Sequence, residues 1–216
     1  MRTRFPAFLA ALVVLAVVPL DAGPAAAVAP ATANVVVYPV TSSGHAAAGF
    51  AVHAQHGFTV DCSDANPSPG ALSPNIELCY PSAAYAVACW KAAAPGKVLC
   101  MRDPSTHKLY RISRGRFAST AINKPRNRAP LLIVLGDGTR CQIRVGGAWG
   151  QPKGHPNLYG AYSCDRHGAA WLWAKGSHRD SHNGIDESSA TWRIRVGENT
   201  IVWRNIAKAY FVATAS

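Results

Sequence analysis

The chain of 216 residues carries 22 lysines and arginines against 11 acidic residues, which gives a formal net charge of +11 at neutral pH. This length is sufficient for one well-buried domain, and the positive charge favours anionic partners. After the N-terminal segment, no stretch is long and apolar enough to form a transmembrane helix.

The first 27 residues have the pattern of a secretory signal peptide. Arg2 and Arg4 form a charged start, an apolar run covers 7–18, and an alanine triplet ending at Ala27 offers a cleavage site. The run of 12 residues is shorter than the ~20 residues that a membrane-spanning helix needs. We therefore predict export to the outside of the cell or to its envelope, with cleavage after Ala27 or, alternatively, after Ala33.

The start of the exported chain has weak patterning. Residues 28–34 are rich in alanine and proline and are predicted to form a flexible tail before a single domain over 35–216. The segment NVVVYPV predicts a first strand, whereas 41–58 lacks a clear pattern. Ser68-Pro69 is typical of a helix N-cap and first helical residue, so a short helix is expected there.

From Ala86 onward the sequence alternates short strand patterns with turn residues. The predicted strand segments are AVACW, KVLCMR, KLYRIS, LLIVLG, TRCQIRV, LYGAYSC, AAWLWAK, TWRIRV, TIVWRN and AYFVAT. Many short strands joined by turns favour a mainly β fold. We expect a disulfide-bonded sandwich or small barrel of antiparallel hairpins, with at most one or two short helices near the mature N-terminus.

The clearest hairpin surrounds Asp137-Gly138, a dipeptide typical of type I′ turns because both central residues of that turn have positive φ. The apolar segment 131–135 precedes the turn. After the turn, Cys141, Ile143 and Val145 alternate with polar residues, so one face of this strand is predicted to be buried.

All six cysteines lie after the predicted cleavage site, and an even number in an exported chain indicates three disulfides. The sequence alone does not choose among the many possible pairings. A turn at 94–96 favours Cys89–Cys100, the strand pattern favours Cys141–Cys164, and Cys62–Cys79 is the pair that remains. Zinc is disfavoured because there is no C-x-x-C pair, and we predict no metal and no cofactor.

The strongest functional signal is positive charge. No acid lies between Asp103 and Asp137, and two later strands carry arginines opposite their apolar residues, where water is expected. We predict that eleven cations bind an anionic ligand: Lys108, Arg111, Arg114, Arg116, Lys124, Arg126, Arg128, Arg140, Arg144, Arg193 and Arg195. If their strands share a sheet, the strand arginines should form one basic face. The competing interpretation is that these charges only keep the protein soluble.

Several segments resemble a family of uncharacterised secreted proteins of actinobacteria, of the mycobacterial exported type. The resemblance rests on ACW at 88–90, VLC and RDP within 98–104, the stretch 137–150 and GAYSC at 160–164. WRIRVG and AKAYFVAT near the C-terminus also fit. The resemblance implies export and an envelope setting, and it implies no particular activity.

Short motifs that suggest catalysis are explained better as loops. Arg166-His167-Gly168 resembles a histidine-phosphatase triplet, yet it lies in an expected hairpin turn and not after the first strand of an α/β domain. His178 and His182 would share one face of a helix, but the glycines and serines around them indicate a loop. We therefore assign no catalytic residue.

The sequence thus predicts a secreted or envelope protein that is a non-catalytic binding protein for an anionic ligand, such as an envelope glycan or lipid, without specific nucleic-acid recognition. Two alternatives stay open: a hydrolase with dispersed catalytic residues, and a secreted inhibitor or interaction module. A cleft gathering histidines and carboxylates would favour the hydrolase. A flat arginine surface would favour the binding protein, and a protruding loop beside a disulfide would favour the inhibitor.

Overall fold

The computed structural model describes residues 29–81, 86–118, 120–145, 150–173 and 183–216. Within these ranges the chain forms strands and no helix, which confirms the mainly β class. The strands are β1 Ala33–Thr41, β2 Ala51–Cys62, β3 Ala88–Lys91, β4 Lys97–Met101, β5 Lys108–Phe117, β6 Leu132–Leu135, β7 Arg140–Ile143, β8 Leu158–Cys164, β9 Ala169–Trp173, β10 Ile185–Asp186, β11 Arg193–Val196 and β12 Val202–Ala215.

Six strands close into an antiparallel barrel in the order β12, β6, β7, β8, β9 and β11, with β11 paired back onto β12. Closure leaves the long sides of these strands without a free edge. Side chains alternate between the inside and the outside of the barrel, and Ile133, Tyr162, Ile194 and Ile206 are fully buried in its interior cluster. The small barrel is one of the two architectures that the strand pattern predicts.

A four-stranded sheet in the order β2, β5, β4 and β3 packs against the barrel. Trp90, Met101 and Leu109 of this sheet belong to the same buried cluster as Ile133 of the barrel. The opposite face of the sheet carries a second cluster, built on two disulfides with Val60, Val98 and Ile112. The four-stranded sheet therefore lies between the main core and a smaller disulfide-rich core.

Two strand pairings are parallel, β1 with β12 and β2 with β5, in addition to the predicted antiparallel hairpins. Strand β2 runs through the segment 41–58, where the sequence shows no strand pattern. Among the side chains of β2 that the structure describes, only those of Val60 and Cys62 are buried. The strand therefore lacks the regular alternation of buried apolar and exposed polar residues. Strand β2 forms because its backbone groups hydrogen-bond with β5, so its formation depends on tertiary structure and not on local sequence pattern.

The hairpin at Asp137-Gly138 joins β6 to β7, but its turn is not type I′. Only Gly138 has a positive φ, of 81°. The N–H of Leu135 donates to the carbonyl of Thr139 at 2.8 Å, which leaves a three-residue loop between these two residues. Such a loop needs one left-handed residue, so glycine is required at 138 and the residue before it keeps an ordinary φ.

The short helix expected at Ser68-Pro69 is absent, and a turn at 69–70 followed by an irregular connection takes its place. The N–H of Leu72 donates to the carbonyl of Val212 at 2.8 Å, and the N–H of Val212 donates to the carbonyl of Gly70 at 3.0 Å. A Cβ at Gly70 would lie 2.6 Å from Cγ of Leu131, so glycine permits this close approach. Pairing with β12 thus overrides the local N-cap signal.

The two C-terminal strand segments of the sequence form one strand of 14 residues, β12, because β11, β6 and β1 pair with successive parts of it. Strand β1 starts at Ala33, inside the segment 28–34 that was predicted as a flexible tail. The N–H of Thr32, the residue just before β1, donates to the carbonyl of Ala190 at 2.9 Å. The signal-peptide prediction falls on 1–27, outside the described residues.

Three disulfides join Cys62–Cys79, Cys89–Cys100 and Cys141–Cys164, the same pairs that the sequence favours. The second and third link residues that lie directly opposite each other on neighbouring strands. Three disulfides indicate maturation in an oxidising compartment. In the described part of the chain, no helix has the length and apolarity needed to cross a membrane.

Candidate functional site

A cleft of about 560 Å³ lies where the ends of β1 and β12 meet β3, β5 and the connection that follows β2. This volume is typical of small-ligand sites. Five hydroxyl side chains and one amide make up half of its lining residues, together with one carboxyl and two cations. The lining residues are Thr41, Ser42, Ser73, Pro74, Asn75, Glu77, Trp90, Lys91, Arg114, Ala118, Thr120 and Thr214. We call this the Glu77 cleft.

The backbone of Glu77 is fixed along the edge of β3. Its N–H donates to the carbonyl of Cys89 at 2.9 Å, and its own carbonyl accepts from the N–H of Cys89 at 2.8 Å. Pro67 forms a bridge on its other side. Directly opposite residues of paired strands point to the same side, so Glu77 shares a face with Cys89 and with Lys91 two residues further on.

The carboxyl of Glu77 is buried, and the residue is only 6% exposed. One of its oxygens and the two sulfurs of the Cys62–Cys79 disulfide lie within 4.8 Å of one another. Loss of solvent raises the pKa of Glu77 to about 7, although the positive charge of Arg114 acts in the opposite direction. Its Oε2 has no hydrogen-bond partner among the described atoms. A buried carboxyl that titrates near neutral pH inside a cleft is a marker of a functional site.

Hydrogen bonds between separate elements hold the neutral part of the wall in place. The indole Nε1 of Trp90 donates to Oγ1 of Thr214 at 3.2 Å, and the N–H of Thr214 donates to Oγ of Ser73 at 3.2 Å. The N–H of Asn75 donates to the carbonyl of Ile122 at 2.9 Å, and the N–H of Ile122 donates to Oδ1 of Asn75 at 3.0 Å. These hydrogen bonds therefore fix the relative positions of the elements that form the wall of the cleft.

Lys91 and Arg114 project from the same face of the four-stranded sheet. Lys91 lies opposite Val98, Val98 lies opposite Ile112, and Arg114 follows Ile112 by two residues. Lys91 is exposed and Arg114 is half-buried. Together they place two positive charges on the wall that also carries Glu77.

Arg114 is the only one of the eleven predicted cations that lines the Glu77 cleft. Three of the others are held in ion pairs with aspartates. These pairs are Arg116–Asp61 at 3.1 Å, Arg140–Asp103 at 2.7 Å and Arg193–Asp186 at 2.6 Å. The charge of these three arginines is thus partly neutralised by neighbouring aspartates, two of which lie far away in the sequence.

Arg195 does not face water, although the alternation along β11 predicts that it does. It is 8% exposed, and its guanidinium lies 5.0 Å from the centroid of the Trp203 ring. Trp203 is directly opposite Arg195 in the β11–β12 pair and covers it. A cation–π contact with Trp203 therefore buries this arginine on the outer face of the barrel. The alternation of apolar and polar residues along β11 could not predict this burial, because it does not show which residue lies opposite on the paired strand.

The strand arginines also fail to form one basic face. Strands β7 and β11, which carry Arg140 and Arg193, share the barrel but lie on opposite sides of it. They are separated by β8 and β9 in one direction and by β6 and β12 in the other. The predicted face is therefore divided.

The remaining predicted cations are exposed but lie outside the Glu77 cleft. They are Lys108 and Arg111 on β5, Lys124, Arg126 and Arg128 in the connection after β5, and Arg144 after β7. Arg128 lines a smaller cleft of about 200 Å³ together with Glu187. These residues add positive charge to the surface without contributing to the Glu77 cleft.

Arg166-His167-Gly168 lies in the turn between β8 and β9, where the sequence places it. Nε2 of His167 is 2.9 Å from Oδ2 of Asp137, and Arg166 donates to the carbonyl of Asp137 at 2.9 Å. Hydrogen bonds from Thr139 and His167 hold the pKa of Asp137 well below its usual range. The triplet thus fastens one hairpin turn to another. The other two histidines considered, His178 and His182, fall outside the described residues.

One set of potential metal-ligating atoms comes together in the described part of the chain: Cys62, Glu77 and Cys79. Both cysteines are consumed by their mutual disulfide, so they offer no thiolate. This group of atoms therefore does not suit a metal ion. The proximity of the disulfide instead accounts for part of the burial of the Glu77 carboxyl.

Two key residues of the cleft, Glu77 and Lys91, are not among the residues singled out from the sequence. Glu77 is the only acid between Asp64 and Asp103, and it stands between two apolar residues beside a cysteine. An isolated acid in such surroundings is a signal of burial. The placement of Lys91 on the same sheet face as Arg114 depends on strand register, which the sequence does not display.

No protein-family model matches the chain, and no curated protein or solved structure is significantly similar to it.

Proposed function

We propose that the chain is an exported, non-catalytic binding protein that holds an acidic saccharide in the Glu77 cleft. The observation that carries this proposal is the placement of Lys91 and Arg114 on one face of a cleft otherwise lined mostly by hydroxyl and amide side chains. Cations recognise carboxylate or phosphate groups. Hydroxyls and amides both donate and accept hydrogen bonds, as sugar hydroxyls require.

The shape of the site favours a saccharide over a lipid surface. A membrane calls for a broad basic face, whereas the predicted face is divided and two of its arginines, Arg140 and Arg193, are ion-paired. A concave site of about 560 Å³ suits one small ligand or the end of a polymer. The signal-peptide pattern and the three disulfides support export.

The hydrolase alternative has less support from the same cleft. Glycoside hydrolysis commonly uses two carboxyl groups, and other hydrolases pair a nucleophile with a histidine. Among the described lining residues there is one carboxyl and no histidine. If incubation with the protein released reducing ends from a uronate-containing polysaccharide, the hydrolase would be favoured over the binding protein.

The cleft cations should dominate binding of an acidic sugar. In isothermal titration calorimetry with D-glucuronate, we expect Lys91→Gln/Arg114→Gln to bind at least about tenfold more weakly than the native protein. A hydrogen bond to a charged group contributes roughly 1.5–3 kcal/mol, which corresponds to a factor of ten or more. Native protein should bind neutral D-glucose at least about tenfold more weakly than D-glucuronate.

The matched control is Lys124→Gln/Arg126→Gln, which removes two exposed cations outside the cleft. Its affinity should stay within about twofold of native at 150 mM salt, where screening acts over roughly 8 Å. Equal losses in both double variants would mean that only overall charge matters. Binding of phosphatidylglycerol vesicles that survives loss of the cleft cations would replace the saccharide with a lipid surface.

Export predicts a specific mature N-terminus. Mass spectrometry of culture filtrate should find a chain that begins at Val28 or at Asn34, since cleavage follows small residues. Recovery of only the full-length chain, in the membrane fraction, would contradict export by signal-peptide cleavage.

A further inference from the structure

We infer that Glu77 makes ligand binding in the Glu77 cleft proton-linked: as a neutral acid, it donates a hydrogen bond from Oε2 to the anionic group of the ligand. This inference rests on the proposed function, because it concerns the same cleft and the same acidic saccharide. It adds the specificity-determining residue and the direction of the pH dependence.

The position of Oε2 carries the first step. Glu77 is only 6% exposed and lines the cleft, and its buried Oε2 has no hydrogen-bond partner among the described atoms. A buried polar atom without a partner is costly, by about 1–3 kcal/mol. A ligand in the cleft is therefore the natural partner for this atom.

The charge of the ligand decides which form of Glu77 can provide that bond. An ionised carboxylate only accepts hydrogen bonds, and an anionic oxygen of the ligand also only accepts. The two anions would repel each other in a site with little water. The protonated acid instead donates one hydrogen bond, so ligand binding and protonation of Glu77 favour each other.

The other groups around Glu77 agree with this assignment. Strand β3 contributes Lys91 and β5 contributes Arg114, the cations assigned to the ligand. Strands β1 and β12 and the connection after β5 contribute Thr41, Ser42, Thr214, Ala118 and Thr120, which carry no charge. From β2 comes the disulfide, with Asp61 nearby in sequence and ion-paired to Arg116.

The charge balance sets the direction of the effect. In the free protein Arg114 favours the ionised form of Glu77, whereas burial favours the neutral form and places the pKa at about 7. A bound anion competes with the carboxylate for Arg114 and adds repulsion, which raises that pKa further. Affinity should therefore fall as pH rises through 7, by about tenfold between pH 6 and pH 8.

The test is calorimetric titration of D-glucuronate at pH 6, 7 and 8 into native protein, Glu77→Gln and the control Glu198→Gln. Glutamine keeps the shape and the donor of the neutral acid but does not titrate. We expect Glu77→Gln to bind at every pH within about threefold of native protein at pH 6. Glu198 is exposed and does not line the Glu77 cleft, so Glu198→Gln should keep the native pH profile. At pH 7, two buffers of different ionisation enthalpy should report uptake of about half a proton.

Three results would overturn the inference while leaving the proposed function intact, provided that Lys91 and Arg114 remain necessary for binding. The first is a native affinity that does not change with pH. The second is a Glu77→Gln variant that keeps the native pH profile. The third is a folded Glu77→Gln variant, checked by its circular dichroism spectrum, that binds more than about tenfold more weakly at pH 6, because Glu77 would then act as a carboxylate. If D-glucuronate binds at no pH, the proposed function and this inference fail together.

Discussion

Removing the Cys62–Cys79 disulfide with Cys62→Ala/Cys79→Ala is expected to lower the free energy of unfolding by about 3 kcal/mol and to weaken D-glucuronate binding by more than about tenfold. The stability loss follows from opening a loop of 17 residues in the unfolded chain. The binding loss follows because the disulfide lies against the Glu77 carboxyl and closes the connection that supplies Ser73, Asn75 and Glu77. Urea denaturation and calorimetry measure the two effects.

The matched control is Cys141→Ala/Cys164→Ala in the barrel. Its loop of 23 residues predicts a similar loss of stability, again about 3 kcal/mol. These cysteines do not line the Glu77 cleft, so binding at 25 °C should stay within about twofold of native for the folded fraction. Equal binding losses in the two variants would mean that the cleft depends on global stability and not on the local disulfide.

Replacing Ile133 with alanine is expected to lower the free energy of unfolding by about 3–4 kcal/mol. Ile133 has no exposed surface and belongs to the cluster inside the barrel. Truncation of such a side chain removes buried apolar contacts and leaves a cavity that the closed barrel cannot collapse. The measurement is the midpoint and slope of urea denaturation.

The neighbouring substitution Val134→Ala tests whether β6 alternates between inside and outside. Val134 points to the opposite face and is only partly buried. Its truncation should therefore lower the free energy of unfolding by about 1 kcal/mol or less. Equal effects at the two positions would contradict the barrel interior described above.

The cations that cluster along the sequence are not the same set as the cations that meet in the Glu77 cleft. The sequence concentrates cations between Asp103 and Asp137, yet Arg114 is the only one of them that lines the Glu77 cleft. The second cation there, Lys91, comes from another strand. The ligand recognition that we propose thus depends on strand register across β3, β4 and β5, whereas the arginine-rich composition contributes a diffuse field.

Much of the fold follows from local signals. The hairpin around Asp137-Gly138 follows from an apolar run, a turn dipeptide and an alternating strand, although the turn geometry differs in detail. The Cys89–Cys100 and Cys141–Cys164 pairs follow from turns or strands that bring their cysteines opposite each other. Strand period and turn chemistry act over a few residues, so the sequence displays them directly.

The sequence by itself determined the mainly β class and most strand positions and favoured the disulfides Cys89–Cys100 and Cys141–Cys164, because these depend on neighbours along the chain. Only the tertiary structure decided the course of β2, the turn and irregular connection that replace the expected helix, and the burial of Arg195 under Trp203. It also decided the site, since Glu77 becomes a buried acid only when the Cys62–Cys79 disulfide, the edge of β3 and Arg114 meet around it. These contacts join residues far apart in sequence, and pairing between strands, not the pattern within one strand, brings them together.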